Sequence, residues 1–227
     1  MFVISRGVQP YSRSKHSEEK IKMRFLHADS CKTAQYLPEL QGNELSRYYI
    51  ASERTSYLKY CDEIASTRPI KMFTGKRIVL RRLLTRKFRL QASFTGDTMI
   101  TTDNVLNMVP KIEGTSVEFP LGILNSKLIS WIYINTSMIA QKDDFPQVHI
   151  SALSSLPLPK YDDNDSLNMT QMVNKMIALH KQKSLAKTPS DNEIIQLEID
   201  ATDYQINRLV YELYGLTEEE IQIVEGE

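Results

Sequence analysis

Apolar residues cluster in short runs through the middle of the chain, alternating over Phe88 to Phe94, and recur every third or fourth position beyond Phe119. Arg77 to Leu84 is rich in β-branched and aliphatic residues and follows a turn signal at Gly75, so it is expected to be a strand. In Phe88 to Phe94, Phe88, Leu90, Ala92 and Phe94 share one face, and Arg89, Gln91 and Ser93 share the other. Met99 to Met108 is a further strand region. Short strands this close together, with turns between them, predict an antiparallel β-rich lobe. The first forty residues are polar and weakly patterned, with Ser12 to His16 read as an exposed loop.

Beyond Phe119 the pattern turns helical. Pro120 suits a first helical turn, and Leu121, Leu124, Leu128 and Trp131 or Ile132 follow at helical spacing, which predicts one helix of about four turns. Leu156-Pro157-Leu158-Pro159 is extended, because each residue before a proline is driven out of α geometry. Tyr161 to Ser166 reads as an acidic linker. Met169, Met172, Val173, Met176 and Leu179 then form an apolar stripe that ends near Lys183 to Lys187. Ser190 with Glu193 forms a capping box for the next helix, whose stripe runs through Ile194, Leu197, Ala201 and Tyr204 and then Leu209, Val210 and Leu213. Gly215 stops it, and Thr217 with Glu220 caps a short last helix. The fold class is α+β, with a β-rich lobe over 1–160 that has embedded helices and a helical hairpin over 167–227.

Length and composition narrow the picture. At 227 residues and 41% hydrophobic the chain can bury a core. The two cysteines, Cys31 and Cys61, are too few for a disulfide framework and lack metal-ligand spacing, which points to a reducing cytoplasm. No apolar run approaches a membrane span, and Arg6 interrupts the N-terminal apolar residues too early for a signal peptide.

Charge adds more. The chain is neutral, with 28 basic and 28 acidic residues, but the two signs are segregated. The 33 residues from Ile64 to Gly96 hold nine cations and no carboxylate, whereas Asp191 to Glu227 holds eleven carboxylates and one cation, Arg208. A positive region attracts a polyanion, of which nucleic acid is the commonest. The competing reading is a solvated basic edge that discourages strand aggregation.

Catalytic patterns are missing from the sequence. His16, His27, His149 and His180 are scattered without partners at ligand spacing. Glu18-Glu19-Lys20 matches the tail of a nuclease Glu-x-Lys motif, but no Asp precedes it to hold the metal. No glycine-rich loop is present to cradle a phosphate or an adenosyl cofactor. No metal or cofactor is therefore expected.

Several segments resemble a known family. They are Gly7-Val8-Gln9-Pro10-Tyr11, Tyr36 to Tyr48, Phe73 to Leu83, the Leu124-Asn125-Ser126 helix, Leu153 to Pro159 with its Leu-Pro-x-Pro ending, and the tail from Ile199 to Ile221. In this order they are similar to the TaqI-like C-terminal specificity domain, or target recognition domain, of type IIG restriction-modification enzymes. The resemblance implies a module for sequence-specific recognition of double-stranded DNA that is not itself an enzyme. It also implies a partner, a methyltransferase domain or subunit, joined in some members by a nuclease.

Under that resemblance, Arg81, Arg82, Arg86, Lys87, Arg89 and Gln91 are the candidate base readers, because they fall on one strand-turn-strand unit. Arginine forks onto guanine, and Gln or Asn onto adenine. Arg13, Lys15 and His16 in the early loop are candidates for phosphate contact, which orients without specifying sequence. Period two sets Arg81 and Arg82 on opposite faces, and Arg89 and Gln91 on the same one. The alternative function is a protein-interaction module that acts through its Met-rich helices.

Overall fold

The computed structural model describes residues 2–53, 55–84, 89–137 and 146–226. The chain divides into two compact units, one formed by Met1–Ser46, Ile50–Leu83 and Ser93–Thr115, the other by Arg47–Tyr49, Leu84–Ala92 and Ser116–Glu227.

The strands, all in the first unit except for Tyr49 and Ala92, are β1 (Phe2–Arg6), β2 (His27–Ala28), β3 (Tyr36–Leu40), β4 (Leu45–Ser46), β5 (Tyr49–Ile50), β6 (Tyr57–Lys59), β7 (Arg77–Arg81), β8 (Ala92–Thr95), β9 (Ile100–Thr101) and β10 (Val105–Pro110). One four-stranded sheet runs β1-β10-β7-β8 and another β2-β6-β3-β9. β10 is antiparallel to β1, from Phe2 opposite Pro110 to Arg6 opposite Leu106, and antiparallel to β7. β3 pairs in parallel with β9, Glu39 opposite Ile100. Helix α1 (Glu18–Lys22) is capped by Ser17, which accepts from the Lys20 amide.

The core of this unit is Val8, Leu26, Leu58, Ile64, Met72, Phe73 and Ile100, with a second cluster of Leu40, Leu45, Val79, Met99 and Val105. Gly7 is required by a close approach: a Cβ there would overlap the carbonyl oxygens of Thr101 and Thr102. The bare backbone lets the Val8 amide donate to the Thr101 carbonyl at 2.8 Å.

The second unit contains α2 (Glu118–Asn125), α3 (Lys127–Thr136), α4 (Ile150–Ser154), α5 (Asp163–Leu185), α6 (Pro189–Tyr214) and α7 (Glu218–Glu225). The single helix expected from Leu121 to Ile134 is two. Ser126 breaks it by leaving helical geometry (φ −68, ψ 158) and capping α3, its hydroxyl accepting from the Ile129 amide. The expected linker at Tyr161 to Ser166 becomes helical from Asp163, because Asp162 and Asp165 make a reciprocal capping box.

α6 starts one cap earlier than the Ser190-Glu193 pattern suggested. Thr188 is the cap and Pro189 occupies the first turn, where its missing N–H leaves nothing unsatisfied. Gly215 does stop α6 in left-handed geometry (φ 68), and Thr217 with Glu220 does cap α7.

Of the expected α5 stripe, Met169, Val173, Met176 and Leu179 are buried and Met172 is half-buried. On α6 Val210 is buried as expected, but its line runs through Ile199, Thr202 and Ile206, and Ile194, Leu197 and Tyr204 are exposed. α6 therefore carries two apolar lines, and helical spacing alone could not say which faces the core. Gly122 lets α2 lie close on α5, since a Cβ there would overlap the Met169 side chain.

Candidate functional site

In the first unit, the ends of β3 and β7, the 3-10 turn Gly42–Glu44, the turn before β10 and the loop after α1 converge on an open cleft of about 560 Å³. It is lined by Tyr11, Arg24, His27, Glu39, Gln41, Asn43, Arg81, Thr102 and Asn104, with Pro10, Gly42 and Leu83. Arg81 is the last residue of β7, opposite Val105 in the ladder, and its Nε is buried without a hydrogen-bond partner. Arg24 turns the chain in left-handed geometry (φ 47) and is exposed. Asn43 and Asn104 are exposed as well. A Cβ on Gly42 would stand 3.4 Å from the Asn104 carbonyl oxygen and 3.9 Å from Arg81 Cγ, so three separate chain segments meet there.

Behind this surface runs a chain of hydrogen bonds. The Tyr11 hydroxyl accepts from the Leu26 amide at 3.0 Å and donates to His27 Nδ1 at 2.7 Å. His27 Nε2 donates to Glu39 Oε1 at 3.2 Å. Glu39 Oε2 accepts from the Ser56 hydroxyl at 2.5 Å and from Gln41 Nε2 at 3.1 Å. The Glu39 side chain is 1% exposed. Burial opposes its ionisation, but the donors from His27 and Ser56 outweigh that, and its carboxyl lies below the usual range. Glu39 is therefore an internal brace with both oxygens engaged. Among the described residues, no group of three His, Cys, Asp or Glu could hold a metal ion, and no helix is long and apolar enough to cross a membrane.

The residues singled out from the sequence are distributed differently. Among the described candidates, only Arg81 lines the cleft. Arg82, on the other side of the strand end, is buried and bonds the Asp103 carboxylate at 2.5 Å. Arg86 and Lys87 lie outside the described residues. Arg89 and Gln91 belong to the second unit, where Arg89 donates to the Asn125 carbonyl at 2.7 Å and shares Asp203 with Arg47.

In the early loop Arg13 is exposed. Lys15 Nζ donates to the carbonyls of Asp62 and Ile64 at 2.5 and 2.7 Å, and His16 Nε2 to that of Glu63 at 2.8 Å. Arg81 thus belongs to the first unit and Arg89 and Gln91 to the second, and Lys15 and His16 have backbone partners. Sequence reading missed Arg24, Gln41, Asn43, Thr102 and Asn104. Two amides flanking a glycine, Gln41-Gly42-Asn43, were the available signal that a turn presents polar side chains.

The Leu-Asn-Ser segment has a structural explanation. Asn125 is fully buried and bonds Ala92 through both its amide atoms, donating to the carbonyl and accepting from the N–H, each at 2.9 Å. It stands in for a missing strand neighbour.

The profile of the TaqI-like C-terminal specificity domain matches residues 37–158. A Methanocaldococcus jannaschii protein described as a type II restriction enzyme and methyltransferase is 28% identical over 193 residues, covering 84% of this chain but 15% of that protein. The fold is similar to that in the structure of MmeI, a type IIL restriction-modification enzyme solved in complex with DNA. The TM-score is 0.61 at 9% identity, over 96% of this chain and 33% of MmeI. The chain thus spans a third or less of the length of each of these relatives.

Proposed function

Because this chain belongs to the TaqI-like C-terminal specificity domain family, we propose that it reads double-stranded DNA for a restriction-modification enzyme. In this reading it acts in the cytoplasm without a catalytic centre of its own, and methylation is supplied by a methyltransferase domain or subunit. The observation that carries the reading is the cleft of the first unit. Guanidinium and amide groups from separate segments converge there, and most of its lining falls inside the matched residues. Such groups are the ones that read base edges in a groove. Exposed cations such as Arg13 would contact phosphates and fix the register.

Binding of the full chain to a duplex pool, followed by fluorescence polarisation over rising salt, tests this. Neutralising about six phosphates gives a log-log slope near −5, and a flat response would rule out the reading. The exposed line of Ile194, Leu197 and Tyr204 on α6 favours a second reading, a helix-mediated interaction module. That reading predicts no enriched sequence and no salt dependence.

A further inference from the structure

The cleft combines strong donors with an absence of free carboxylate, and that combination restricts which base edges it can accept. Arg81 and Arg24 offer guanidinium N–H groups, and Gln41, Asn43 and Asn104 offer amides. Glu39, the one carboxylate among the described lining residues, is 1% exposed and already accepts from His27, Ser56 and Gln41, so it presents no open face to a base.

Cytosine shows the major groove an exocyclic amine, a donor that carboxylates read best. Guanine shows two acceptors, O6 and N7, which match a guanidinium fork. Adenine shows an acceptor beside a donor, which match a carboxamide. Gln41 keeps this capacity despite its bond to Glu39. One N–H is fixed by the carboxylate and the side-chain oxygen caps the Glu44 amide, which leaves the other N–H and the oxygen's second lone pair for a base. The brace also restricts the rotation of the Gln41 side chain, so less entropy is lost on binding.

We infer that this cleft reads purine edges, with Arg81 on a guanine and Gln41 on an adenine, and that Tyr11, His27 and Glu39 are the positioning residues behind Gln41. The inference rests on the DNA reading above and adds which bases are read and by which side chains. It also separates Arg81 from Arg82, whose guanidinium is held by Asp103.

The test is selection from a random duplex library with the full chain, run on wild type, Arg81→Gln, Arg81→Lys and Gln41→Ala. Thermal unfolding is followed in parallel. Wild type should enrich a motif containing a guanine and an adenine. Arg81→Gln should replace that guanine by adenine and lose on the order of 10-fold on the original duplex. Arg81→Lys should keep guanine with weaker preference, and Gln41→Ala should relax a single adenine position. If wild type enriches a motif and folded Arg81→Gln and Gln41→Ala enrich the same one, the purine assignment fails while DNA recognition stands. If wild type enriches nothing, the DNA reading itself fails. Should Arg81→Gln not fold, an unchanged motif with folded Arg81→Lys and Gln41→Ala would still overturn the assignment.

Discussion

Arg77 shows how a single residue can defeat a charge count. It opens β7 with its side chain fully buried, donating to the carbonyls of Gly75, Asp97 and Met99 at 3.0, 2.9 and 3.1 Å. Burial pushes its pKa down to about 10, against the pull of Asp97. The guanidinium is a staple that satisfies three carbonyls, so Arg77→Met should cost about 3 kcal/mol or more, measured by urea denaturation. In the sequence this residue sat among nine cations of one basic stretch. Nothing in a strand buried along most of its length distinguishes an inward cation from an outward one.

His180 makes a second residue-scale case. It stacks between Tyr48 and Tyr49, with ring centroids 6.4 and 6.3 Å away. Burial, then the neighbouring Arg47 and Lys183, depress its pKa to about 4, against the pull of Asp203. The unfolded chain binds this proton near pH 6.5 and the folded chain does so only near 4, so stability from the neutral ring is complete above 6.5 and lost on acidification. Between those limits the loss should be about 2 kcal/mol, after discounting for partial exposure. His180→Phe, which keeps the stack, should flatten the pH dependence of unfolding in that window. Of the carboxylates with lowered pKa, Glu39 is buried and Asp203 half-buried, and their contribution is lost only at lower pH.

Among elements, cap chemistry decides where helices begin, and it was legible only where one cap had no rival. Gly215 and the Thr217-Glu220 box stood out in the sequence because nothing nearby competed with them. At the start of α6, Thr188 and Ser190 both offered a hydroxyl, and the proline between them favours Thr188. Thr188→Ala should therefore cost about 1 kcal/mol in thermal unfolding, and Ser190→Ala less than about half of that. Ser126 was hidden differently, because apolar spacing continues across it. Its hydroxyl accepts from the Ile129 amide at 3.2 Å and donates to the Ile123 carbonyl at 2.7 Å. Ser126→Ala should cost about 1–2 kcal/mol.

Over the whole molecule, the sequence conveyed the order of strands first and a helical hairpin last, because both are local patterns. The sheets were harder to see. β1 pairs with β10 and β3 with β9, partners far apart in the chain, and no local period announces such pairings. The cleft was hidden for the same reason, since Arg24, Gln41, Arg81 and Asn104 come from four segments. The two apolar lines of α6 give a prediction at this scale. Leu197→Gln, on the exposed line, should change thermal stability by less than about 0.5 kcal/mol, whereas Ile206→Ala on the buried line should cost about 2–5 kcal/mol.

The separation between brace and surface in the cleft also bears on how such a module diversifies. Glu39 is buried within the hydrogen-bond chain, whereas Asn43 and Asn104 stand in the open and fill no core. Exchanging either asparagine should therefore leave the scaffold intact, and under the proposed DNA reading a new target preference would need one codon change and no compensating repair elsewhere in the fold.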